Sequence, residues 1–100
     1  MAAGGRRQEI DETIVGWEEG LEPLRLWLAN APESVHLAHQ AEFAELYRRK
    51  EVAKSRWEAI RGVYRPSAEA VAAFEAAMAE MECAWRKAEP LVRQAAAARD

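Results

Sequence analysis

Apolar side chains recur along this chain at helical spacing, in three separate stretches. The first runs Ile10, Ile14, Trp17, Leu21, Leu24, Leu28, with steps alternating between four and three. That is an a/d heptad seam. The second runs Phe43, Leu46, Lys50, Ala53, Trp57, Ile60, Tyr64, and the third Val71, Phe74, Met78, Met81, Trp85, Ala88, Val92, Ala95. Strand signals are nearly absent. There is one Thr, Val and Ile are scattered, and no apolar–polar alternation persists.

Turn chemistry falls between the seams. In Asn30-Ala31-Pro32-Glu33, Asn30 suits an N-cap, Pro32 a first turn, and Glu33 the third position of a capping box. Gly62 and Arg65-Pro66-Ser67 mark the second boundary, with Pro66 or Ser67 opening the last helix. The pattern predicts an all-α fold: an antiparallel three-helix bundle with coiled-coil packing, its helices at about 7–29, 32–63 and 67–97. Pro23 and Pro90 each remove a backbone donor, so each is expected to kink or end its helix, the first being kinked at Pro23. Residues 1–100 read as a single domain, with 1–6 and 98–100 expected to fray.

Composition sharpens this picture. Alanine supplies 22 of the 100 residues and Trp 4, while Leu, Ile, Val and Phe together supply 18. Such a low aliphatic share borders on the composition of disordered chains. The seams argue for folding, because they gather the few large residues, with Trp supplying bulk and Ala making room. The core is still narrow, and a chain of this size buries only a modest fraction of its surface. That favours a partner or a second copy. No apolar run reaches the roughly 18 residues of a membrane span, and no apolar stretch follows the basic N-terminus as a secretory signal needs. The single cysteine rules out an internal disulfide or a multi-cysteine zinc site. A cytoplasmic protein is expected. Eleven Arg against three Lys, with abundant Ala, suggests a bacterial or phage genome.

The net charge of −3 is unevenly spread. Residues 1–45 carry −6, residues 46–65 carry +5 and residues 66–100 carry −2. The basic stretch, with Tyr47 and Trp57 inside it, has the ingredients of a nucleic-acid-binding helix. The heptad points elsewhere. Arg49 and Arg56 fall at g, and Lys54 and Arg61 at e. Asp11 and Glu18 fall at e on the first helix, and Glu75, Glu82 and Glu89 at e on the third. In antiparallel pairs e faces e, so the basic edge is expected to be neutralised by a neighbouring helix. Arg48 at f and Arg65 at b should point outward in either case.

Trp17, Trp57 and Trp85 are expected in the core. Trp27 lies off the seam between Leu26 and Leu28, so it either turns into the bundle or meets another chain. Lys50, at an a position, reads as a lysine that buries its stem and snorkels to water. Cys83, at f, should be exposed. His36 and His39 are expected in solvent. Glu33 and His36 match one half of a carboxylate-bridged metal motif, which needs two such halves. No Gly-rich phosphate loop is present, and the three serines fall at helix ends or on a helix surface. No catalytic residue, cofactor, metal or small-molecule substrate is expected, and the protein reads as a non-enzyme.

In length, and in Trp17 on the first seam, the chain resembles a spectrin-type repeat. The resemblance implies architecture alone. The functional expectation is a protein–protein interaction module: a small adaptor, regulator or inhibitor of a larger machine, possibly as a homodimer. An acidic first half that mimics nucleic acid would be one form of it. Its expected partner-binding residues are Leu26, Trp27, Tyr47, Arg48, Arg49 and Arg56. The alternative is a nucleic-acid-binding helical protein using the second helix.

Overall fold

A computed structural model describes the backbone of residues 2–98, with side chains from Arg6 onward. Three helices follow one another: α1 (Ala2–Ala29), α2 (Glu33–Arg61) and α3 (Ala68–Ala97). Each packs against both others, most extensively α2 against α3. The bundle measures 49 × 25 × 18 Å. The short connections make sequence neighbours antiparallel. One end of the bundle therefore holds the α1–α2 turn and the C-terminus of α3. The other holds the α2–α3 turn and the start of α1.

The seams form the core. Ile14, Trp17, Leu21, Leu24 and Leu28 are buried on α1, and Leu46, Ala53, Trp57 and Ile60 on α2. Phe74, Met81, Ala88 and Ala95 are buried on α3, joined by Ala77 and Leu91. These last two sit at g, outside the a/d seam. A helix that faces two neighbours needs a wider apolar stripe than a two-stranded coil does. Trp17 and Trp57 each remove roughly 150–250 Å² from water, worth ~4–6 kcal/mol before entropy is counted. The Trp57 and Phe74 rings tilt against each other at 5.1 Å. Trp85 is only half-buried. Its indole lies on Gly20: a Cβ there would stand 2.5 Å from Trp85 Cη2. Glycine, rather than the expected alanine, makes room for this ring.

Several local expectations are corrected. Asn30 does not open α2. Its Nδ2 donates to the Leu26 carbonyl at 2.9 Å and its backbone N–H donates to the same oxygen, so it closes α1. Pro32 takes the N-cap position of α2 without a side-chain cap, and its carbonyl accepts from Val35 and His36. A proline at this point already orders the entry, which leaves Asn30 free for the orphan carbonyls behind it. Ser67 caps α3 as expected, its hydroxyl accepting from the Ala70 N–H at 3.1 Å.

Neither Pro23 nor Pro90 ends its helix. Each forfeits one backbone bond, but buried residues on both sides hold the helix in register: Leu21 and Leu24 around Pro23, Ala88 and Leu91 around Pro90. α1 also starts earlier than expected, at Ala2, so residues 2–6 are helical. Of the expected frayed positions, Met1, Arg99 and Asp100 lie outside the described residues. Ala98 is the C-cap of α3. Among the described residues, no helix is long and apolar enough to cross a membrane.

Candidate interaction surfaces

The e edge of α2 meets the e edge of α1, as the heptads predict. Lys54 Nζ lies 2.9 Å from Glu18 Oε2, and Arg61 lies 3.0 Å from Asp11. The two pairs are one heptad apart on both helices and form a ladder along the flank. Asp11 has a second role, accepting from the Trp57 indole N–H at 2.8 Å. A buried Trp needs such a partner, and the seams alone did not show which residue supplies it. Of the two acidic e edges available to α2, that of α1 is the one engaged, and the α3 carboxylates pair differently. Glu89 pairs with Arg93 of its own helix, and Arg49 reaches Glu80, a c position, at 3.5 Å.

Lys50 does not snorkel into open water, since its side chain is only 5 % exposed. Its ammonium donates to Glu51 at 2.6 Å and to Glu18 at 3.5 Å, and sits 4.3 Å from the Tyr47 ring centre. Two carboxylates and an aromatic face replace the lost hydration. The Lys54 hydrogen bond holds the Glu18 carboxyl below its ordinary pKa, against the opposing effect of burial, with further help from the Lys54 and Lys50 charges. The same bond raises the Lys54 ammonium. On the outer face, the Arg48 hydrogen bond lowers the Glu45 carboxyl.

The six expected partner-binding residues do not converge. Arg48 and Arg49 both pair with Glu45. Tyr47 is exposed on the α1–α2 side, in a crevice it shares with Phe43 and Lys50. Arg56 is exposed and, among the described residues, pairs with no carboxylate. Leu26 and Trp27 do lie together, in a groove of about 340 Å³ at the α1–α2 turn. Asn30, Ala31, Pro32, Val35, Ala95 and Ala98 complete its lining, and none of these residues is charged. Trp27 is half-buried against the core with its ring 6.2 Å from that of His39. Leu26 is 38 % exposed. Trp27 thus turns partly inward and still borders the surface.

Tyr64 departs most from expectation. Placed on the second seam by its spacing, it is 90 % exposed. α2 stops at Arg61 and Gly62 follows with φ −100 and ψ 6, so the helical register is lost three residues short of Tyr64. Gly62 was the available signal. Cys83 is exposed as expected. His39 is only half-buried, and His36 is exposed yet engaged, its Nδ1 lying 3.3 Å from the Leu28 carbonyl across the turn. Compared with protein-family models, curated proteins and solved structures, the chain matches none.

Proposed function

We propose that the protein is a non-enzymatic protein–protein interaction module, a small adaptor, regulator or inhibitor, which docks a partner in the groove around Trp27. One observation carries this reading: Leu26 and the edge of Trp27 border solvent in a groove whose lining has no charged side chain. A rigid aromatic in an uncharged cleft is the usual anchor of a protein interface. The narrow core adds support, since a partner would cover further apolar surface. On this reading the module works without cofactor or small-molecule substrate.

The nucleic-acid alternative has less support. In α2, Arg48, Arg49, Lys50, Lys54 and Arg61 each face a carboxylate, so few cations are left for phosphate. Capture from the native host with the wild type beside Trp27→Ala tests the reading, with circular dichroism to confirm the fold. Protein bound by the wild type and lost on substitution supports it. Equal retention by both, or recovery of nucleic acid alone, refutes it. Sedimentation tests self-association separately, and a strict monomer at high micromolar concentration removes the homodimer form.

A further inference from the structure

The end of the bundle opposite Trp27 carries a second surface of different chemistry. Val63 is 45 % exposed and Tyr64 90 % exposed there, beside a groove of about 410 Å³. Ile10 and Phe74 contribute apolar walls. The rim is cationic. Arg6 and Arg7 border the groove from α1, both exposed and, among the described residues, without a carboxylate partner. Arg65 follows Tyr64 and its guanidinium carbon lies 5.4 Å from that ring's centre. Arg61 also borders the groove but is already engaged by Asp11.

Most cations of α2 are paired internally, while Arg56 on α2 and Arg86 and Lys87 on α3 stand exposed without an aromatic groove beside them. On this end the protein leaves three arginines around an exposed aromatic, over an apolar floor. We infer that the α2–α3 turn end is a second docking surface, and that it takes an acidic protein segment: aromatic or aliphatic anchors flanked by Asp or Glu. The apolar floor would hold the anchor, and Arg6, Arg7 and Arg65 would meet the carboxylates with forked donors. A nucleic-acid strand suits the site less well, because the apolar walls of Ile10 and Phe74 match the side-chain anchors of a peptide and give a sugar-phosphate backbone no counterpart. The inference is independent of the Trp27 reading, since the two grooves lie at opposite ends of the 49 Å bundle.

The test is a titration of isotope-labelled protein followed by amide NMR. The probes are a synthetic peptide with Phe and Leu anchors among glutamates, the same peptide with lysines in place of glutamates, and an oligothymidylate. The expected result is saturable shifts at Ile10, Val63, Tyr64 and Phe74 with the acidic peptide only, weakening as salt rises. Tyr64→Ala, and separately Arg6→Glu with Arg7→Glu, should each weaken binding at least about tenfold. Trp27→Ala should leave it unchanged. Tyr64, Arg6 and Arg7 are exposed, so those variants keep their fold, and circular dichroism checks every variant, Trp27→Ala included. No saturable shift at this end, equal binding of the lysine peptide, preference for the oligonucleotide, or shifts confined to the Trp27 groove would overturn the inference.

Discussion

Midway along α1, groups meet counterparts on the other helices: Asp11 and Glu18 face cations of α2, and Gly20 receives the Trp85 indole. At the α2–α3 turn the opposite holds. Tyr64 stands in solvent, and Arg6, Arg7 and Arg65 meet no carboxylate among the described residues. Both regions are rich in charge and aromatics. They differ in whether those groups are matched within the chain. Matched groups set register and stability, while unmatched ones remain available to a partner.

Substitutions should separate the two regions by their effect on stability. The largest loss is expected for Gly20→Ala. In an open helix this change stabilises by ~0.5–1 kcal/mol, but here the added methyl meets a rigid indole. A net loss of roughly 1–3 kcal/mol is expected in denaturant unfolding. An unchanged midpoint would mean that Trp85 can move aside.

Glu18→Gln should cost about 1 kcal/mol, because it weakens contacts to Lys54 and Lys50 at a site about a third exposed. The cost should depend on pH. The Glu18 carboxyl is depressed in the folded state, so its contribution is present above the ordinary carboxylate range near about pH 4.3. It is lost as pH falls through the depressed value. The Lys54 ammonium is raised, so its contribution holds below the ordinary lysine range and is lost as pH rises through the raised value. Unfolding curves of wild type and Glu18→Gln should therefore converge in acid and stand apart at neutral pH. A constant separation would remove the ion-pair account.

Gly16→Ala is the control for Gly20. No atom lies within 4 Å of its added carbon, so a gain of ~0.5–1 kcal/mol is expected. The smallest effect should come from Tyr64→Ala, within about 0.5 kcal/mol of wild type. A larger loss would mean that the turn belongs to the packed interior after all.

The two regions also differed in how far the sequence revealed them. Heptad spacing located the seams, and it paired the α1 and α2 edges correctly because antiparallel geometry leaves e facing e. That logic left open whether α1 or α3 supplies the acidic edge, and among the described residues the e carboxylates of α3 meet no cation of α2. A third helix adds a rotation that spacing along one chain does not encode. Asn30 closes α1 rather than opening α2, a choice the sequence leaves open because a side chain with both donor and acceptor can serve either the end of one helix or the start of the next. Tyr64 kept the seam's arithmetic after the helix itself had stopped. Of the expected site, only Leu26 and Trp27 share a surface. The cationic rim at the other end joins residues 6, 7 and 65, a grouping that appears only once the chain has folded.

On the proposed function, the charge of α2 serves the fold while the Trp27 groove serves a partner. Photo-crosslinking in the native host tests it most directly, with a photoreactive amino acid placed at Leu26 in one variant and at Arg56 in another. The expected result is a discrete protein adduct from position 26, abolished by Trp27→Ala, and none from position 56. A nucleic-acid adduct from position 56, or no protein adduct from position 26, would contradict it.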